Sequence, residues 1–132
     1  MYQEELVFRT TVDQMGGYRA AQQTLAMSRL PTAIFTVNNM TVVGAMKALR
    51  ERGLSVPKDI GLVCFDDVEH LAVLSPFLTV IDQPAETFGS LGAQLLFERI
   101  TGKAGVRSRR IVLQTDLIVR ESCCVNSGVP PR

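Results

Sequence analysis

The sequence predicts an α/β domain built on a mostly parallel sheet, and three observations carry that prediction. Two short apolar runs, Thr32–Val37 and Ile60–Phe65, are rich in β-branched and aromatic residues and read as strands. A single helical stretch, Met40–Arg52, joins them, and two strands joined by one helix run parallel with a right-handed crossover. The same alternation of strand and helix continues on both sides, giving β-α-β-α-β and then β-α-β-β. A chain of 132 residues is one domain's worth and can bury a sizeable core.

The elements follow in order. Glu5–Thr10 (ELVFRT) reads as a strand and Val12–Gly17 as a loop. Tyr18–Ser28 reads as a helix with Tyr18, Ala21 and Leu25 on one face. Leu30-Pro31 ends it, because the residue before a proline is pushed out of the α region. The strand Thr32–Val37 stops at Asn38–Asn39, either of which can cap the helix that follows. Gly53 sits where that helix wants a residue free to take positive φ. Val56-Pro57 leads into the second strand, which ends on Asp66–Asp67. Val68–Leu74 is a short apolar segment broken by Ser75-Pro76. Leu78–Asp82 alternates like a strand, and Gln83-Pro84 opens the longest helix, Ala85–Thr101, closed by Gly102. Lys103–Arg110 is a basic loop, Ile111–Leu113 and Leu117–Val119 are short strands, and VNSGVPPR is a frayed tail.

Composition excludes several classes. The chain is 46% hydrophobic and 20% charged, ordinary for a globular protein, and its net charge of +1 gives no pull toward nucleic acid or anionic membrane. No apolar run approaches the roughly 18 residues of a spanning helix, and MYQEELVFRT is not a signal peptide. Three cysteines, with Cys64 inside an apolar strand, suggest a reducing compartment, so a cytoplasmic location is expected. Ten glycines produce neither a dinucleotide fingerprint nor a phosphate-binding loop. No nucleophile elbow is present, and no cofactor, metal site or enzymatic activity is expected. His70, the single histidine, has no partner spacing, and the adjacent Cys123–Cys124 match no zinc pattern. Lys103, Arg107, Arg109 and Arg110 lack the aromatic interleaving of a nucleic-acid surface and read as a solvated loop.

The polar pairs Asn38–Asn39 and Asp66–Asp67 are the candidate site. Parallel strands put both pairs at neighbouring carboxyl ends, where open α/β sheets take ligands. A carboxylate can accept from adjacent hydroxyls of a polyol while an amide both donates and accepts. The plainer reading is also open: the asparagines cap a helix and the aspartates end a strand.

The segments TAIFTVNNMTVVGAMKALRERGLSVPKDIGLVCFDD, LSPFLTVIDQP and LIVRESC together resemble the effector-binding core of the lactose/galactose repressor family (LacI/GalR type). The likeness runs from about Gly17 to Ser122, with motifs in the family's order and spacing. It implies a three-layer parallel-sheet lobe of a periplasmic-binding-protein-like (type I) fold, incomplete, with a crossover segment from a second lobe. Residues 1–79 and 115–132 would form the C-terminal lobe, and 80–114 would belong to the N-terminal one. It implies that Asn38 and Asp66 contact a sugar or sugar-acid effector and that Val12 falls near a position that is often aromatic. It implies a homodimer in which Met40, Val43, Met46, Leu71 and Leu74 face the other subunit. Asn39 in place of Asp, Cys64 in place of Gly and Val80 in place of Thr depart from the family pattern. The DNA-binding head and the opening of the first lobe have no counterpart in these residues. The chain is therefore expected to be a fragment of a transcriptional repressor that makes no nucleic-acid contact itself. A periplasmic sugar-binding protein of a transport system is the alternative, and an upstream helix-turn-helix or secretory leader would separate the two.

Overall fold

The computed structural model describes residues 3–67, 77–103 and 108–123. Its centre is the expected strand–helix–strand unit: β1 (Ala33–Thr36), α2 (Asn39–Glu51) and β2 (Gly61–Phe65), with α1 (Gln14–Leu25) before it. β3 (Thr79–Asp82), α3 (Ala85–Ile100) and β4 (Asp116–Ile118) follow, and short 3-10 turns cover Glu4–Leu6 and Glu121–Cys123. The four strands form one open sheet in the order β1-β2-β3-β4. The first three are parallel, and β4 returns antiparallel to β3.

α2 starts where its sequence demands. The Asn38 side chain accepts from the Thr41 N–H at 3.0 Å, while the Thr41 hydroxyl oxygen accepts from the Asn38 N–H at 3.2 Å. This reciprocal cap satisfies two orphan donors of the first turn. At the other end Gly53 takes φ +77°, the left-handed conformation that closes a helix cheaply only at glycine.

α2 has two apolar faces, each with its own partner. Val42 joins Leu62, Cys64, Leu78 and Val80 in the main core, with Ile34, Val43, Met46, Val56 and Ile118 packed around it. Ala45 and Ala48 instead meet Ala21 of α1, flanked by Tyr18 and Leu25, so the three α1 residues assigned to one face do share it. Small residues let the two helices approach closely. A Cβ placed on Gly17 would lie 2.0 Å from the Thr41 carbonyl oxygen, and one on Gly44 would lie 1.9 Å from the Gln14 carbonyl oxygen.

That close approach corrects the expected loop at Val12–Gly17. α1 begins at Gln14, capped by Asp13, whose side chain accepts from the Gly16 N–H. Gly16 and Gly17 resemble turn residues in the sequence, but their lack of side chains serves helix packing. The expected strand Glu5–Thr10 does not form; a 3-10 turn takes Glu4–Leu6 and residues 7–10 join no ladder. The expected strand Ile111–Leu113 is likewise absent, and Val112 is 74% exposed. Both runs have β-forming residues but no strand beside them, and without a partner the backbone gains no ladder hydrogen bonds. The last strand begins one residue earlier than expected, at Asp116. α3 buries none of its residues and leaves Phe88, Leu96, Phe97 and Ile100 exposed.

Candidate functional site

The carboxyl ends of β1, β2 and β3 lie side by side, and the register fixes what meets there. Thr36 pairs with Cys64, so Asn38 and Asp66 each stand two residues beyond a matched pair, on strands about 4.8 Å apart. Gln83 follows directly after β3. Three polar side chains from three strand ends therefore share one edge of the sheet.

Asp66 has φ +74° and is the one described non-glycine residue with positive φ. Aspartate tolerates this region better than most residues, yet it still costs roughly 1–2 kcal/mol for an L side chain. The turn falls directly after β2, where the chain leaves the sheet. Surrounding bonds hold the turn. The Asp66 N–H donates to the Ile81 carbonyl at 2.9 Å, and its carboxylate accepts a short hydrogen bond from Gln83 Nε2. The next residue, Asp67, forms a two-pronged ion pair with Arg120, at 2.5 Å to Nη2 and 3.3 Å to Nη1.

The half-buried Asn38 serves as a cap, so the plain reading of that residue is correct as far as it goes. The cap uses its amide oxygen, which accepts from the Thr41 N–H and hydroxyl, and leaves the NH2 group outside it. A carboxylate that accepts and an amide NH2 that donates are matched to vicinal hydroxyls. Val12 stands 64% exposed just before the Asp13 cap of α1.

The remaining expected residues are placed as follows. Met40 is 47% exposed, whereas Val43 and Met46 are half-buried against the main core. His70, Leu71, Leu74, Arg107 and Cys124 lie outside the described residues. Cys64 points into the core rather than toward the strand ends; burial pushes its thiol up from the ordinary value. Arg109 pairs with Glu98 of α3 and lowers that carboxyl. Among the described residues no group of three His, Cys, Asp or Glu side chains could hold a metal ion. None of the described helices is long and apolar enough to cross a membrane. A cavity of about 420 Å³ runs along the free edge of β1, between it, α1 and residues 6–10, and reaches Thr36 and Thr41 beside the Asn38 cap. Its lining is mainly apolar (Leu6, Val7, Phe8 and Ile34 among others), with threonine hydroxyls and no charged group.

Residues 1–123 match the family described as the periplasmic binding protein-like domain. This chain belongs to that family. It is 37% identical over 119 residues to the HTH-type transcriptional repressor PurR of Erwinia tasmaniensis, covering 90% of this chain and 35% of PurR. It superposes on the transcriptional regulator CelR in complex with cellobiose with TM-score 0.84 and 34% identity, over 92% of this chain and 37% of that one. A LacI-family transcriptional regulator from Enterococcus faecalis with bound ribose gives TM-score 0.76 and 33% identity, over 87% of this chain and 42% of that one. The chain thus spans about a third of the length of the curated relatives it matches.

Asn38, Asp66 and Gln83 together line the carboxyl edge of the sheet. Sequence reasoning named the first two and missed the third. It also gave no role to Arg120 or Ser122, although both lie in the LIVRESC segment. Ser122 is fully buried, donates to the Leu62 carbonyl at 2.5 Å and accepts from the Thr79 N–H at 2.7 Å, pinning the segment after β4 to β2 and β3.

Proposed function

We propose that this chain is the effector-sensing part of a sugar-responsive transcriptional repressor. In this reading Asn38 and Asp66 hydrogen-bond hydroxyls of a sugar or sugar acid, with Val12 covering one side. Residues 1–79 and 115–132 form one lobe and 80–114 contribute to a second, which closes over the ligand. DNA contact falls to a part of the protein other than these residues, and the protein acts in the cytoplasm as a homodimer through Met40, Val43, Met46, Leu71 and Leu74. No step of bond-making chemistry is assigned to the chain.

The observation that carries the reading is the placement of Asn38 and Asp66 on adjacent parallel strand ends with complementary donor and acceptor groups. The repressor name of the PurR relative and the sugars in the CelR and Enterococcus faecalis structures support it. A transport protein is the less supported alternative, since these relatives are regulators. The test is an amide-shift map by NMR during titration with millimolar cellobiose, ribose and glucuronate. Shifts centred on Asn38, Asp66 and Gln83 are expected for at least one of them; shifts centred on the apolar cavity beside β1 would overturn the assignment.

A further inference from the structure

We propose that Arg120 is a positioning residue for the ligand-facing carboxylate: gripping Asp67, it fixes the left-handed turn that aims Asp66. This rests on the reading of Asp66 as a ligand residue. The grip has the geometry for that task. Arg120 approaches both Asp67 oxygens with two guanidinium nitrogens, and a planar two-point contact sets the orientation of a carboxylate as well as its position. Nη1 also donates to the Leu78 carbonyl at 2.9 Å, which steadies the guanidinium from the side of β3. Both side chains are about four-fifths withdrawn from solvent, at 20% and 19% exposure, so water and salt screen the pair less than a surface pair.

The other end of the grip is anchored as well. The Arg120 N–H donates to Thr79 Oγ1 at 2.9 Å, and that hydroxyl donates back to the Arg120 carbonyl at 3.1 Å. Two residues further on, Ser122 is bonded to Leu62 of β2, to Thr79 of β3 and, through its N–H, to the Phe77 carbonyl. Asp66 is therefore held between β2 on one side and a clamped neighbour on the other. Its backbone has little freedom except at the strained turn itself. Arg120 also follows β4, the strand by which the chain returns from α3, so the grip couples that return to the ligand edge.

Amide hydrogen exchange on Arg120→Gln, Arg120→Lys and Asp67→Asn tests this, with the interior amides of β2 as the reference. Exchange at Asp66 is expected to accelerate roughly tenfold or more, while the reference amides keep their rates. Arg120→Lys should restore little, because an ammonium keeps the charge but cannot make the planar grip. The double variant Arg120→Gln/Asp67→Asn should match the singles, since both remove one contact. Uniform acceleration along β2, or an unchanged Asp66 rate in Asp67→Asn, would overturn the proposal; Asp67→Asn keeps the side chain's size and decides the matter if Arg120→Gln fails to fold. Cellobiose and ribose titrations of the same proteins separate the two readings. Sugar shifts that weaken in the variants support both, whereas no shift at Asp66 in any protein would sink the site assignment and leave the exchange result standing.

Discussion

Replacing Gly44 by Ala should destabilise the domain, although alanine is the better helix former. The added Cβ would lie 1.9 Å from the Gln14 carbonyl oxygen, 2.6 Å from the Tyr18 nitrogen and 2.9 Å from the Gln14 carbonyl carbon. All three are backbone atoms, so no side chain can swing away. Restoring ordinary contact at about 3.5 Å requires α1 and α2 to separate by roughly 1.5 Å. That movement opens the seam in which Ala21, Ala45 and Ala48 are 2–3% exposed. Overpacking of this kind costs about 1–3 kcal/mol, against which the gain in helix propensity returns up to about 1 kcal/mol. Because every clash is with backbone, the cost falls at the upper end, about 2–3 kcal/mol, so the net loss is about 1–2 kcal/mol, or more if the seam cannot adjust, a large share of the few kcal/mol that hold a domain folded. Gly89→Ala and Gly92→Ala on α3 are the controls, because nothing lies within 4 Å of a Cβ at either position. The same chemical change there should stabilise α3 locally. Urea titration followed by circular dichroism reads the midpoints; a Gly44→Ala protein as stable as the parent would refute the packing argument.

Three further expectations follow from particular residues. Asp13 has its carboxyl held below its ordinary value of 3.8, chiefly by the Gly16 N–H. Its contribution is present above pH 3.8 and is lost as the pH falls through the lower folded-state value, so an acid titration of stability should show a component that Asp13→Asn removes. Met40 is exposed at the start of α2, so Met40→Lys should weaken the dimer, raising the concentration at which sedimentation detects monomer, with an unchanged circular dichroism spectrum; an unaltered association constant would remove Met40 from the interface. Phe97 and Ile100 on α3 are 64% and 74% exposed, and each large apolar side chain left bare forgoes roughly 1.5–3 kcal/mol of burial. Light scattering of the isolated chain should therefore give a dimer that covers α3 by exchange, and a stable monomer at micromolar concentration would contradict this.

The β1–α2–β2 unit was legible because every local rule agreed: β-branched runs, an Asn cap, a glycine closure and a proline before the second strand. Where the reading failed, the deciding partner was remote in sequence. Gly16 and Gly17 look like a turn until α2 is laid against them. ELVFRT and Ile111–Leu113 have strand composition, yet strand composition without a neighbour makes no sheet. Asn38 and Asp66 could be paired from topology alone, since parallel strands bring their carboxyl ends together. Gln83 and Arg120 could not, because their contacts with Asp66 and Asp67 span 17 and 53 residues of chain and depend on a left-handed turn that no pattern announces.

Asp66→Asn bears most directly on the central claim that the sugar is held at the strand ends. Asparagine accepts positive φ as readily as aspartate, so the turn should survive while the carboxylate is lost. A hydrogen bond to a charged group contributes about 1.5–3 kcal/mol, so the Kd for whichever sugar perturbs the parent should rise roughly 10- to 150-fold. Parallel NMR titrations of parent and variant measure it. The account predicts sugar-induced shifts that weaken by that factor on an otherwise unchanged spectrum; equal affinity in the two proteins would contradict it.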